Sequence, residues 1–552
     1  MLASTAWGRR TLRTLTLSAG VVGAPAAALA CGGLFCNSTQ PINQSAERIL
    51  FSRDGATLNM HVRISYSGPP TEFAWLLPAP PDVETDLSSE QLFQLLDQQA
   101  APLFQLQRQL DNNCAQPEFA PSAGGGGVDD RDNEPSPQDP GVQVLSREAI
   151  GPYDRVILQA DNVGVLRAWL DENAFAIPPA VDATLTPYIE MGDVFVAIKL
   201  LPGADSGDIQ PLHLKFTSDT AAIPLLPTRV AADPDMGLIV HVLDGDRAIP
   251  KNYAHVQINE AAIDWPAAGA NYADVVSQAA DEAAGGKAWV TDYAGTSDFL
   301  APGLQPVPEN VVEGVKTART LGDLTAWLSF GDADMQRLVA DYFEVPAGVS
   351  PAQFFNCPDC FGPVDYAQAV DGLAIAERLD KEINAPREGL LALLAKHDYL
   401  TRLYTTMSPE EMDQDPIFGT NPDLAPVDRL RTATWYVVCD DQGRELSSLS
   451  YVETPSGLRF QFDENGQVPD AIQRQAGETV RGQGVPAARI IERMFEQGQA
   501  EIITDNTKAL RARYLGADKS SGCDCDATDG APPASLGLLL LGLLAPRLRR
   551  RR

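Results

Sequence analysis

The residues of this chain with the most chemistry to offer are its eight cysteines and five histidines. Cys357-Pro358-Asp359-Cys360 has the spacing of a thiol-disulfide oxidoreductase, in which a helix N-terminus after a strand lowers the pKa of the first thiol. Phe354-Phe355 before it and Phe361-Gly362-Pro363 after it read as a loop. A structural bridge is therefore the expectation, and redox catalysis at Cys357 and Cys360 the alternative. Zinc would need a second ligand pair at fixed spacing, and the sequence offers none. His61, His213, His241, His255 and His397 never fall in a His-Glu-x-x-His pattern. His241 and His255 could face each other across neighbouring strands, which makes them the candidates for a metal or a catalytic base.

Other patterns point away from catalysis. Gly295-Thr296-Ser297-Asp298-Phe299 misses the last position of the nucleophile elbow. There is no phosphate-binding loop and no dinucleotide fingerprint, so no cofactor is expected. Asp440-Asp441 and Asp463-Glu464 precede turn glycines and read as turn chemistry before they read as a glycosidase pair. Trp289 to Tyr293 could present aromatics to a sugar or peptide, but a core strand is the preferred reading.

The elements that must position these residues read as α+β: mostly antiparallel sheets with interspersed helices. Asp54-Gly55 turns a hairpin, and Leu58, Met60, Val62, Ile64 and Tyr66 alternate with polar residues as a strand with one wet face. Phe73 to Leu77 is expected to continue that sheet. Ser88 to Gln91 reads as a capping box before a helix that stops near Pro102. Strands are expected over Val142 to Ala160, Val194 to Leu201, Leu212 to Phe216, Leu238 to Leu243 and Ala254 to Ile258. Helices are expected over Val163 to Ala174, Tyr272 to Ala284, Leu321 to Phe330, Ala333 to Phe343 and much of Asp365 to Tyr404. A meander from Trp435 to Phe462 and a last helix, Ala487 to Gln497, close the body.

Composition sets the surroundings. The 552 residues carry a net charge of −32, and the negative excess lies between two arginine-bearing ends. Such a body repels nucleic acid, because duplex binding relies on Lys and Arg to neutralise phosphates. Residues 1–30 have Arg9, Arg10 and Arg13, an apolar stretch and an Ala28-Leu29-Ala30 end, a secretory signal that would leave Cys31 first. Sec export is favoured over the twin-arginine route. Residues 31–505 form one exported domain, with a solvated acidic Gly/Pro loop over 111–141. A linker, 506–533, holds Cys523 and Cys525. The tail, 534–552, has seven leucines between Pro533 and Pro546 and then an arginine cluster. Its twelve apolar-run residues reach about 18 Å as a helix, short of a hydrocarbon core of roughly 30 Å, so it engages a membrane without comfortably spanning it.

In an oxidising compartment Cys31 and Cys36 read as a small disulfide loop. That leaves Cys114, Cys357, Cys360 and Cys439, whose three connectivities remain open.

Cys31-Gly32-Gly33-Leu34-Phe35-Cys36, Glu47 to Phe51, Phe73-Ala74-Trp75, Gly151-Pro152-Tyr153-Asp154, Phe195 to Leu200 and Phe354 to Cys360, taken in order, resemble the bacterial family catalogued as domain of unknown function 2330. The similarity runs from about Cys31 to near residue 500. It implies an exported, cysteine-bearing envelope domain and carries over no catalytic residues. The end of the chain is similar to the myxobacterial C-terminal sorting tail called MYXO-CTERM. That resemblance implies recognition by a membrane processing enzyme near Cys523 or Cys525 and delivery to the cell surface. The reading is thus an envelope protein handled by the export machinery and held at the membrane or released after processing. It serves as a structural or binding module of unknown ligand; an extracytoplasmic enzyme using Cys357 and Cys360 is the alternative.

Overall fold

The alternation of Leu58, Met60 and Val62 belongs to the strand Thr57–Ile64, inside a ten-stranded mixed sheet on which the other layers rest. The computed structural model describes residues 44–64, 73–114, 143–173, 175, 179–201, 209–230, 232–343, 345–346, 349, 351–472 and 484–514. The expected export signal, Cys31, Cys36, most of the expected 111–141 loop, Cys523, Cys525 and the expected arginine-rich tail lie outside those residues.

From edge to edge the main sheet runs Glu501–Asp505, Ala488–Arg493, Ala254–Ile258, Ala288–Thr296, Tyr399–Met407, Ala232–Asp244, Gln44–Asp54, Thr57–Ile64, Leu212–Thr217 and Glu84–Leu87. Ala254–Ile258 pairs in parallel with Ala288–Thr296, and Gln44–Asp54 with Ala232–Asp244; the other neighbours are antiparallel. Gly55, with φ of 64°, makes the expected hairpin turn between Gln44–Asp54 and Thr57–Ile64.

Both faces of this sheet are covered. Phe51, Met60 and Leu214 pack against Val196 and Ile198 of a four-stranded antiparallel sheet made of Ala74–Ala79, Val194–Leu200, Tyr153–Gln159 and Gln143–Ile150. Phe73 to Leu77 therefore begins this second layer and does not continue the first. Its outer face is closed by Trp169 of helix Val163–Glu172 and Leu185 of helix Asp182–Met191. On the opposite face of the main sheet Leu50 and Leu400 meet Phe93 and Leu96 of helix Glu90–Ala100 and Leu390 of helix Ala385–Leu394. A Leu or Phe side chain withdrawn from water in this way stabilises by about 1.5 to 3 kcal/mol. The face expected to be wet is thus dry: Asn59 and His61 are 6 % and 3 % exposed.

Three further expectations are corrected. Helix Glu90–Ala100 is capped by Ser89, whose Oγ accepts from Leu92 N at 3.1 Å, and not by Ser88. Ser88 is engaged elsewhere, its Oγ 2.8 Å from Nδ1 of His61. The helical run after Asp365 ends at Leu394, and Tyr399–Met407 is a central strand. Ala488–Arg493 is also a strand, paired on both sides, where a helix was expected. Val437 and Leu110 are partners at the end of the parallel pair Leu430–Val437 with Leu103–Leu110, which brings Cys439 and Cys114 together. A disulfide joins them, with the Cα atoms 5.3 Å apart.

Candidate functional site

At one end of the main sheet, three arginines line a cavity of about 540 Å³ in an otherwise strongly acidic chain. They are Arg247 of the short strand Arg247–Pro250, Arg431 of Leu430–Val437 and Arg489 of Ala488–Arg493. All three are half-buried, and none forms an ion pair among the described residues. The cavity falls in the 300 to 1,000 Å³ range, roughly, of small-molecule sites.

Strand pairing brings the polar side chains into one hydrogen-bonded line. His255 and Glu492 are cross-strand partners, and Gln257 lies two residues along on the same face as His255. Arg489 Nη2 donates to Gln257 Oε1, and Gln257 Nε2 donates to Glu492 Oε1 at 3.1 Å. Glu492 Oε1 lies 2.9 Å from His255 Nδ1, and His255 Nε2 lies 2.9 Å from Thr291 Oγ1. Arg247 Nη2 closes the line, donating to Thr291 Oγ1 at 3.2 Å. The Nε atoms of Arg247 and Arg489 are buried without a hydrogen-bond partner.

The position of Thr291 depends on an irregularity in its strand. The register of Ala288–Thr296 against Tyr399–Met407 slips between Thr291 and Tyr293, leaving Asp292 bulged. The carbonyls of Thr291 and Asp292 accept from Arg431 Nη2 at 3.3 and 3.1 Å. The Asp292 carboxylate, fully buried, takes Arg402 Nη1 and the hydroxyl of Tyr272. Arg431 is thereby held by main chain, with its charge facing no carboxylate at contact.

Burial pushes the Glu492 carboxyl up, but hydrogen bonds from His255 and Gln257 and the charge of Arg247 oppose this and hold it below the usual glutamate range. Burial pushes the His255 imidazole down against the opposing pull of Glu492. An ionised Glu492 facing a neutral His255 places the imidazole proton on Nδ1. Nε2 is then an acceptor, and the proton between it and Thr291 belongs to the hydroxyl.

His255, one of the two histidines singled out by sequence, thus lies in the cleft. Its expected partner does not: Tyr399–Met407 and Ala288–Thr296 separate His241 from His255 in the sheet. His241 is buried between Leu50 and Arg402, and that burial pushes its imidazole far down. A different histidine pair forms instead. His61 and His213 are cross-strand partners whose rings stack at 4.2 Å. Among the described residues no group of three or more His, Cys, Asp or Glu could hold a metal ion.

Cys357 and Cys360 form a disulfide. The pair follows the C-terminal end of helix Pro351–Asn356 and enters a single 3-10 turn, Pro358–Cys360. A helix C-terminus carries partial negative charge, which disfavours a thiolate there. Asp440 accepts from Gln442 N and Arg444 N at 2.9 and 3.0 Å, and Asp463 from Asn465 N and Gln467 N at 2.8 Å each, which is turn chemistry. Trp289 is a core side chain, 0 % exposed.

Sequence reasoning missed Thr291, Glu492 and all three arginines. Each sits in an ordinary strand, and only tertiary pairing joins them: 237 residues separate His255 from Glu492.

The profile of a family described as "Uncharacterized protein conserved in bacteria (DUF2330)" matches residues 25–300. That span contains Arg247, His255 and Thr291, while Arg431, Arg489 and Glu492 lie beyond it. No curated protein and no solved structure matches the chain.

Proposed function

This chain belongs to the DUF2330 family, and from that premise we propose that it is an exported cell-envelope protein whose cleft binds a small anionic ligand. The observation that carries the ligand class is the convergence of Arg247, Arg431 and Arg489 on one cavity, free of ion pairs among the described residues, in a chain of net charge −32. Glu260 and Glu492 also line the cavity, and Arg247 acts on Glu492 from a distance, but no carboxylate among the described residues forms an ion pair with these guanidiniums. A carboxylate or phosphate entering the cleft would supply the missing acceptors, including one for the unsatisfied Nε atoms.

Export is supported by different features. Residues 1–30 have the pattern of a secretory signal, and the leucine and arginine tail that of a membrane-engaging sorting segment. The disulfides Cys114–Cys439 and Cys357–Cys360 suit an oxidising compartment. In this reading the export machinery and a membrane processing enzyme acting near Cys523 or Cys525 are the partners, and the tail holds the protein at the membrane until it is processed.

Titration calorimetry of the full chain with succinate and, separately, with inorganic phosphate tests the ligand class. At least one should give saturable heat. Arg431→Gln should weaken that binding by about 10- to 100-fold, the worth of one charge-assisted hydrogen bond. No heat from either anion sinks the reading.

A further inference from the structure

The same cleft contains an ordered carboxylate, imidazole and hydroxyl. Glu492 Oε1 lies 2.9 Å from His255 Nδ1, and His255 Nε2 lies 2.9 Å from Thr291 Oγ1. This is the arrangement in which a carboxylate orients an imidazole and the imidazole takes a proton from a nucleophile. The three side chains come from three adjacent strands, so their spacing is set by the sheet and not by a loop. They line the cavity, with only 4, 5 and 7 % of His255, Thr291 and Glu492 exposed. Arg247 Nη2, 3.2 Å from Thr291 Oγ1, adds a cation at the point where a carbonyl bonded to that oxygen would develop negative charge.

We propose that Thr291, His255 and Glu492 form an acyl-transfer relay, and that its substrate is a carboxylic ester whose acyl part bears a second, anionic group. Thr291 Oγ1 adds to the ester carbonyl while its proton passes to His255 Nε2. The carbonyl oxygen becomes an oxyanion facing Arg247, and Glu492 holds the imidazolium that has formed. Collapse of the adduct breaks the bond to the alkoxy group, which leaves as the alcohol with the proton from Nε2. Water then attacks the acyl group on Thr291, giving one proton to Nε2. Thr291 Oγ1 leaves with that proton, and the acid product ionises. Water is the only co-reactant, and no electrons are gained or lost. Arg431 and Arg489 are the remaining cations for the anionic end of the acyl group. That assignment of substrate class rests on the anion-binding reading above, whereas the relay does not.

The test uses the full chain and mono-4-nitrophenyl succinate, following release of 4-nitrophenolate and locating acylation by peptide mass spectrometry. The wild type should release the phenolate and carry a succinyl group on Thr291. Thr291→Val, nearly the same shape without the hydroxyl, should lose both, with hydrolysis slowed about 100-fold or more. Thr291→Ser should restore acylation, and His255→Gln should abolish it; thermal melts of each variant separate loss of fold from loss of chemistry. Hydrolysis by Thr291→Val at the wild-type rate, or a wild type with no acyl group on Thr291, overturns the relay. Succinate heat without acylation removes the relay and keeps the anion site, and acylation without succinate heat does the reverse.

Discussion

Glu47 shows how one buried side chain ties this fold to pH. It stands on strand Gln44–Asp54 between Leu238 and Ile64, 4 % exposed, and burial raises its carboxyl from 4.5 to about 7. The folded state therefore keeps a proton that the unfolded chain releases. The stability gained in this way is complete below the unfolded value of 4.5 and is lost as pH rises through about 7. Glu47 should contribute a loss of up to about 3 kcal/mol between roughly pH 5 and 8, read as the difference in urea-unfolding slope between the wild type and Glu47→Gln, while Asp281, also raised to about 7, acts in the same direction in both proteins. An unchanged slope in the variant would show that another group carries it. At this scale the sequence was legible where chemistry is local. Asp440 and Asp463 could be assigned to turns because their partners lie within four residues. Cys114 and Cys439 were legible as disulfide cysteines but not as each other's partner, since 325 residues separate them and three connectivities were open. Thr291 carried no local mark at all.

Elements were read correctly where apolar and polar residues alternate or one signal dominates, and misread where tertiary pairing overrides pattern. Tyr399–Met407 is buried on both faces between two strands, so its alternation is lost and it merged with the helix before it. Its threonines, Thr401, Thr405 and Thr406, are the β-branched signal that favours a strand. The stretch from Ala487 to Gln497 offers Ile490, Ile491 and Met494 at helix-compatible spacing, but pairing of Ala488–Arg493 on both sides with Ala254–Ile258 and Glu501–Asp505 decides it. This is the strand that supplies Glu492 and Arg489, so the misreading hid two of the cleft's charged residues.

Helix docking depends on a single buried carboxylate. Asp334, 0 % exposed at the start of helix Ala333–Ala340, accepts from Ser89 Oγ at 2.7 Å, Gln91 N at 3.1 Å and Arg387 Nη2 at 2.8 Å. It thereby joins three helices, including the two that cover Leu50 and Leu400 of the main sheet. Asp334→Ala leaves Arg387 with Asp332 alone and should cost about 3 kcal/mol in urea unfolding. A cost below about 1 kcal/mol would show that apolar packing alone docks these helices.

The molecule as a whole combines an acidic body, bridged through Cys114 and Cys439, with two ends that we propose direct its export. The α+β class with mostly antiparallel sheets was legible in the sequence, because hairpin glycines and alternating strands recur along it. The layering was not, since it depends on which strand neighbours which. The address can be tested by expressing the full chain and a form ending at Pro533 in a host with an envelope. The full chain should stay with the membrane fraction and the shortened one should be released; equal release of both counts against the tail.

The cleft is the claim on which the functional account depends. Calorimetric titration of succinate into the full chain and into Arg247→Gln/Arg431→Gln/Arg489→Gln, with thermal melts confirming that both are folded, tests it most directly. The account predicts saturable binding by the wild type that the triple variant loses. Equal binding by the two proteins would contradict it.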